Sequence, residues 1–154
     1  MSWSPDGATV TFLSERSGLL RLMTMAADGS GKRVLVDGQA GGGGCAWSPD
    51  GTTVAFTMFK EQQHLFVTTA QGTTIRQLTT SGRRNVFPAW SPDGRHIAYI
   101  RYETLSDKGP GFKGDVVLFD VIYETHRTLP VHVTELNDPA RPAWRPVTQA
   151  TRPE

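Results

Sequence analysis

The sequence predicts an all-β fold, a β-propeller built from four-stranded antiparallel blades. Two observations carry this prediction. The pentad Trp-Ser-Pro-Asp-Gly occurs three times, beginning at Trp3, Trp47 and Trp90, at intervals of 44 and 43 residues. Each pentad is followed by short segments in which apolar and polar residues alternate with the period of two that is typical of strands. A repeat of this length with four short strands is typical of a propeller blade.

Each repeat contains four predicted strands in the same order. The first strand carries the tryptophan of the pentad, and the second follows the pentad directly. The second, third and fourth strands are predicted at residues 9–12, 22–25 and 33–36 of the first repeat, 53–56, 65–68 and 76–79 of the second, and 96–99, 117–120 and 127–129 of the third.

The pentad has the composition of a tight turn between the first two strands. Proline fixes φ near about −65° early in the turn, and glycine supplies the positive φ that is needed when a type I turn is followed by a bulge. Ser4, Ser48 and Ser91 precede the prolines, where a hydroxyl can bond back to the turn backbone. The turn at 122–125 of the third repeat has no glycine, so we expect it to be looser.

The recurring residues of the pentads are predicted to be structural. A tryptophan at one position of every repeat is typical of a core residue, and an aspartate beside a turn glycine is more typical of a turn than of a calcium site. Structural roles are therefore predicted for Trp3, Asp6, Gly7, Trp47, Asp50, Gly51, Trp90, Asp93, Gly94 and Trp144. The single cysteine, Cys45, is expected to face the core.

The blades resemble the TolB-like β-propeller repeat, in which W-S-P-D-G is followed by an I-A-F strand, a strand ending in A-D-G-S and an R-x-L-T strand. The resemblance covers residues 1–144 and predicts a propeller domain at 1–146 with a tail at 147–154. A fourth tryptophan strand carries Trp144, which lies 54 residues after Trp90 and has no Asp-Gly behind it. We predict blades at 1–36, 45–79 and 87–129, and a closing strand at 141–146.

The predicted propeller is partial, with three blades and one extra inner strand. Propellers protect their sheet edges by closing rings of typically four to eight blades, which three blades cannot do. Two hypotheses follow. Either the chain is the C-terminal half of a longer propeller, six-bladed as in TolB-like proteins, or two copies complete one ring as a homodimer. We favour the first, because the first strand is truncated to residues 1–3.

Composition argues against several classes of function. Lys and Arg number 16 against 15 Asp and Glu, a net charge of +1, so the basic excess of a nucleic-acid-binding protein is missing. No apolar run approaches the length of a membrane span, and the first residues have no signal-peptide pattern. A single cysteine excludes an intrachain disulfide.

The sequence contains no catalytic or cofactor motif in a suitable context. The four histidines lack the spacing of a metal site, and no G-x-S-x-G elbow occurs. Residues 109–114 match G-x-G-x-x-G only formally, because a strand before them and a helix after them are both missing. We expect no catalytic residue, metal or cofactor in this chain, and therefore no enzymatic activity of its own.

The loops of the predicted propeller are the candidate binding surface. Connections between second and third strands, and between successive blades, leave a propeller on the same rim, and loops on a rigid scaffold often carry binding function. Arginine and aromatic residues are enriched in protein interfaces. The candidate residues on this rim are Arg16, Phe59, Lys60, Arg83, Arg84, Arg101, Tyr102, Phe112 and Arg141.

The leading hypothesis is a non-enzymatic scaffold that binds a protein or peptide partner through this rim. The resemblance to TolB-like proteins implies a bacterial protein in a periplasmic or other extracytoplasmic setting. Two alternatives stay open at this point. The chain could be the gating propeller of a prolyl-oligopeptidase-like peptidase, or a sensor domain of a larger signalling protein.

Overall fold

The computed structural model describes residues 1–16, 18–80, 83–102, 114–133 and 142–144. These residues form twelve β-strands. The strands are β1 (Ser2–Trp3), β2 (Thr9–Arg16), β3 (Leu19–Ala26), β4 (Arg33–Val36), β5 (Ala40–Trp47), β6 (Thr53–Lys60), β7 (Gln62–Thr69), β8 (Ile75–Gln77), β9 (Arg84–Trp90), β10 (His96–Tyr102), β11 (Gly114–Asp120) and β12 (Thr125–Val133). In the described part of the chain, no helix is long and apolar enough to cross a membrane.

The strands form three antiparallel sheets of four, each in sequence order: β1-β2-β3-β4, β5-β6-β7-β8 and β9-β10-β11-β12. We call these sheets blades 1, 2 and 3. Within each sheet every strand pairs antiparallel with the next one along the chain, so every sheet is a simple up-and-down meander. This is the arrangement of propeller blades, and the predicted fold class is confirmed.

The pentad turns show why the sequence repeats. In blade 2 the hydroxyl of Ser48 donates to Asp50 Oδ1 at 2.6 Å and accepts the backbone N–H of Thr53 at 3.0 Å. The N–H of Gly51 donates to the Ser48 carbonyl at 3.0 Å, with Gly51 at a φ of 71°. The same bonds recur at Ser4 and at Ser91, so the predicted turn and the predicted role of the serines are confirmed.

These turns make stability depend on pH. The hydrogen bond from the serine hydroxyl, followed by one from the backbone, holds the pKa of Asp6, Asp50 and Asp93 below the ordinary value of 3.8. The unfolded carboxyls have the higher pKa and take up protons first as pH falls. The stabilisation is therefore fully present above about pH 4 and is lost as pH falls through 3.8 toward the folded pKa values.

We expect replacement of all three aspartates by asparagine to flatten this acid dependence, since an amide oxygen can still accept the bonds but does not titrate. The measurement is the urea midpoint at a series of pH values. The wild-type midpoint should fall more steeply than that of the triple variant below about pH 4. Parallel curves would show that the turn carboxyls do not contribute to the acid dependence.

The second turn of blade 3 is short and closed without glycine. Asp120 Oδ1 accepts the backbone N–H groups of Ile122 and Tyr123 at 2.9 and 3.1 Å, and Glu124 takes the positive φ, at 54°. Asp120 pairs directly with Thr125, so four residues make the turn. We expected a looser turn, and the structure shows a tight one. The hydrogen bonds to the Asp120 carboxylate stabilise this turn, whereas a glycine allows the equivalent turns of blades 1 and 2 to close.

The core lies between the blades. One apolar cluster joins Leu22 and Leu35 of blade 1 to Phe56 and Phe66 of blade 2, whose rings lie 5.8 Å apart. Cys45 belongs to this cluster with 6% of its surface exposed, as predicted for an inward-facing cysteine. A second cluster joins blades 2 and 3 through Leu65, Val67, Leu78, Ile97, Tyr99, Val117 and Phe119. Packing therefore holds the three blades in one arc.

The tryptophans occupy equivalent places with different exposure. Trp47 packs against the core between blades 1 and 2, and Trp90 packs against the core between blades 2 and 3. Trp144 stacks on the ring of His96 at 6.4 Å and donates from Nε1 to the carbonyl of Ala89 at 3.0 Å. Trp3, on the outward side of blade 1, is 53% exposed.

Most strands are longer than the sequence predicts. The second and third strands of each blade have seven or eight residues, where four were predicted. The glycines at 41–44, predicted as loop, belong to β5, which begins at Ala40. β12 extends through Pro130 to Val133, beyond the predicted end at residue 129. Loops are correspondingly shorter, because β2 ends at Arg16 two residues before Gly18, and Glu61 alone separates β6 from β7.

Candidate binding surface

The arc has two rims with different construction. The turn rim carries the pentad turns and the turns between third and fourth strands. The loop rim carries the hairpins between second and third strands and the connections from one blade to the next. Within the described residues the loop rim comprises Gly18, Glu61, Arg83 and the segments 37–39 and 78–80. All nine candidate binding residues were predicted for the loop rim.

Three of these candidates lie outside the described part of the chain, namely the side chain of Arg16 and the whole of Phe112 and Arg141. Lys60 is exposed at the end of β6, where its Nζ lies 5.5 Å from the centroid of the Phe66 ring and 3.5 Å from Gln77 Oε1. Arg83 is exposed beside the start of β9.

Four side chains form a row along the loop rim where blades 2 and 3 meet. Phe59 of β6 lies directly across from Gln63 of β7. Gln63 Oε1 accepts a hydrogen bond from Arg84 Nε of β9 at 2.5 Å. Arg84 lies directly across from Tyr102 of β10. We call Phe59, Gln63, Arg84 and Tyr102 the rim row.

The rim row combines exposed and buried members. The side chain of Phe59 is 47% exposed. Its backbone is fixed, because its N–H donates to the carbonyl of Gln39 at 2.9 Å. Gln63 and Tyr102 are buried, at 5% and 3% exposure. Burial raises the pKa of Tyr102, and the charge of Arg84 opposes this shift. The row therefore exposes the phenyl ring of Phe59 and the guanidinium of Arg84, while the buried side chains of Gln63 and Tyr102 lie beside them and are held by packing.

Arg84 is positioned by one nitrogen and is free to use the others. The bond to Gln63 engages Nε. Tyr102 is the cross-strand neighbour of Arg84, and the Cβ atoms of such neighbours in an antiparallel pair lie within about 5.5 Å of each other. Asn85, the next residue of β9, is fully buried and donates from Nδ2 to the Arg83 carbonyl at 2.7 Å, which fixes the chain just before Arg84. A guanidinium held this way can bind a carboxylate through its outer N–H groups.

Arg101 belongs to a separate chain of hydrogen bonds. Its NH2 donates to the hydroxyl of Tyr99 at 2.7 Å, and that hydroxyl lies 3.1 Å from Nδ1 of His126. The carbonyl of Leu78 in blade 2 accepts a hydrogen bond from the same imidazole. Desolvation, with the charge of Arg101, lowers the pKa of His126. Arg101 is thus linked, through Tyr99 and His126 of its own blade, to a chain of hydrogen bonds that reaches blade 2.

The sequence did not single out Gln63 or Asn85. Both are ordinary polar residues in strands. They are distinguished only by their burial and by their hydrogen bonds, which join Gln63 to Arg84 of blade 3 and Asn85 to the carbonyl of Arg83. The one available signal is position, since Gln63 lies three residues after Lys60 and Asn85 directly follows Arg84. Among the described residues, no group of three or more His, Cys, Asp or Glu side chains could hold a metal ion.

The chain folds into three consecutive four-stranded sheets that share apolar cores. This arrangement is part of a β-propeller. The sequence profile of the TolB beta propeller domain matches residues 1–146. The chain therefore belongs to the TolB beta propeller domain family, as its repeats indicate. No curated protein sequence matches it.

Solved structures with the same fold include two TolB proteins and a protease. A protein assigned as TolB from Agrobacterium tumefaciens is 24% identical with a TM-score of 0.75, over 86% of this chain and 48% of that one. TolB from Acinetobacter baumannii is 20% identical with a TM-score of 0.68, over 83% and 31%. The tricorn protease is 15% identical with a TM-score of 0.59, over 78% and 13%.

These likenesses concern the fold. The chain spans less than half the length of either TolB protein, and an arc of this kind also occurs within a protease. Because one fold serves many functions, the function of this chain has to be argued from its own surface.

Proposed function

We propose that the chain is a non-enzymatic scaffold that binds a protein or peptide partner through its loop rim. The observation that carries this proposal is the rim row, in which Gln63 links an exposed phenyl ring to an anchored guanidinium: Phe59 lies across from it in blade 2, and Arg84 of blade 3 donates to it. Aromatic and arginine side chains are the residues that most often dominate binding energy at protein interfaces.

The rim row suits a short segment with an apolar and an acidic side chain. Phe59 supplies apolar area that becomes buried on binding, and its fixed backbone limits the entropy lost in the process. Arg84 supplies N–H groups for a carboxylate. Lys60 and Arg83 add positive charge nearby, so an acidic segment would be attracted to this rim before contact.

The membership of the TolB beta propeller family supports a periplasmic or other extracytoplasmic location for the parent protein. Detection of the natural protein in the periplasmic fraction of its host would agree with this part of the proposal, and its retention with cytoplasmic enzymes would contradict it.

Binding through the rim row is testable with peptides selected on the chain itself. The full chain is immobilised, peptides are selected from a displayed random library, and the tightest one is synthesised and titrated by calorimetry. We expect Phe59→Ala and Arg84→Ala each to raise its dissociation constant at least about tenfold, the effect of losing a residue worth more than about 1.4 kcal/mol.

A matched control comes from the opposite rim. Tyr123 is 70% exposed on the turn rim, with Arg95 5.6 Å from its ring, so it is also an aromatic residue beside an arginine. Tyr123→Ala should leave the affinity unchanged. If Tyr123→Ala weakens binding while Phe59→Ala and Arg84→Ala do not, the proposed surface is the wrong one.

A further inference from the structure

A cavity of about 250 Å³ lies between the facing sheets of blades 2 and 3. Most of its wall is apolar and comes from Val67, Leu78, Trp90, Ile97, Phe119 and Val121. Arg76 and four threonines complete the lining. An apolar cavity of about 150 Å³ is enough to hold benzene, so this space can take a small organic molecule.

The cavity extends across the sheet of blade 2. Its lining residues lie on three adjacent strands, from Thr53 of β6 through Val67 of β7 to Arg76 of β8. Neighbouring strands are about 4.8 Å apart, so this span is about 10 Å. Arg76 stands at its outer end, because β8 is the edge strand of the blade. The shape therefore suits a linear chain that runs inward from Arg76.

The guanidinium of Arg76 already binds a carboxylate. It forms a salt bridge with Glu124, in the turn between β11 and β12 of blade 3. The two side chains are 45% and 64% exposed. Exposed ion pairs are weak, so the carboxylate of another molecule can replace that of Glu124 with little loss of stability.

The junction of blades 1 and 2 lacks this combination. Arg33 precedes Arg76 by 43 residues, one repeat interval, and lies opposite Thr24 as Arg76 lies opposite Val67. A polar residue thus stands where the cavity has an apolar one. Arg33 donates to two backbone carbonyls of the turn between β7 and β8, at 3.2 and 3.3 Å, whereas Arg76 binds a movable side chain.

We propose that the cavity between blades 2 and 3 binds a small carboxylic acid with a linear apolar chain. The carboxylate binds Arg76 in place of Glu124, and the chain lies against Val67 and Phe119. The apolar wall disfavours a ligand that is polar along its length, and the guanidinium disfavours an amine. This site is separate from the rim row, and the inference does not depend on binding there.

The test is a titration of the full chain with two matched probes, octanoate and octan-1-ol, followed by calorimetry. The probes share the apolar chain and differ in charge, so octanoate should bind more tightly. We expect Arg76→Gln to raise the dissociation constant of octanoate about tenfold, the effect of losing a charge-assisted hydrogen bond. The affinity for octan-1-ol should stay unchanged.

Glu124→Gln separates a ligand site from a salt bridge that only joins the blades. The substitution removes the carboxylate that competes for Arg76. We expect it to lower the dissociation constant of octanoate about threefold, the effect of losing an exposed ion pair. If the salt bridge only joined the blades, this variant would bind octanoate no more tightly than the wild-type chain.

Two further variants locate the binding. Arg33→Gln removes the equivalent arginine of the other junction and should leave the affinity for octanoate unchanged. Val121→Phe fills the cavity and should abolish binding of both probes, while a cooperative urea transition shows that this variant is folded.

Three outcomes would overturn the proposal. They are a wild-type chain that does not bind octanoate, equal effects of Arg76→Gln and Arg33→Gln, and a Glu124→Gln variant without tighter binding. Peptide binding at the rim row would be the same in every case, so failure here and failure of the proposed function are distinguishable.

Discussion

Replacement of Gly72 by alanine should destabilise the fold by about 3 kcal/mol or more. Gly72 has a φ of 82°, and a Cβ at this position would lie 2.1 Å from the carbonyl oxygen of Leu35 in blade 1. The left-handed conformation costs an L-residue about 1–2 kcal/mol, and relief of the clash by a backbone shift costs about 1–3 kcal/mol more. Urea unfolding measures the loss.

Gly29→Ala separates the two contributions. Gly29 occupies the same turn position in blade 1, with a φ of 85°, but nothing lies within 4 Å of the added methyl group. We expect this variant to lose only the conformational part, about 1–2 kcal/mol. Equal losses in the two variants would mean that blades 1 and 2 do not approach each other at Leu35 as described.

Phe56→Ala should lower the free energy of unfolding by about 3–5 kcal/mol, the usual cost of deleting a buried phenyl ring. Phe56 is fully buried in the core that blade 2 shares with blade 1, and its ring faces that of Phe66 at 5.8 Å. The cavity would lie at a junction between blades, so the loss should appear in both the urea midpoint and the thermal midpoint.

Phe59→Ala is the matched control on the same strand. Its ring is 47% exposed, so its removal should cost about 1 kcal/mol or less. The two substitutions delete the same atoms three residues apart. A comparable loss for both would place Phe59 in the core and remove it from the proposed binding surface.

The repeated elements could be predicted from the sequence because their signals are local. Ser48, Asp50 and Gly51 bond almost entirely to one another and to the turn between them, so five residues suffice to specify the hairpin. The alternating strands after each pentad are likewise local, and their register follows from the turn.

The glycine run at 41–44 shows where local signals fail. Four consecutive glycines indicate a loop, yet they form part of β5. A Cβ on Gly43 would lie 2.8 Å from the side chain of Val86, and one on Gly41 would lie 2.9 Å from Thr57 Oγ1. Close approach of neighbouring strands selects glycine here, and that approach is a tertiary fact.

The candidate site was predictable in part. Chain topology assigns Phe59 and Arg84 to the loop rim, but the pairing that unites them passes through Gln63, which only the packing of blade 2 on blade 3 reveals. Tyr102 was predicted as a contact residue, and it is buried behind Arg84 because β10 is longer than its alternating segment suggests. It supports the surface without being part of its exposed area.

The most direct test of binding through the rim row is an NMR map of amide shifts in the full chain on titration with the selected peptide. We expect the largest shifts at Phe59, Gln63 and Arg84, with the amides of Ile122 and Tyr123 on the turn rim unchanged. Largest shifts on the turn rim, with the rim row unchanged, would contradict it.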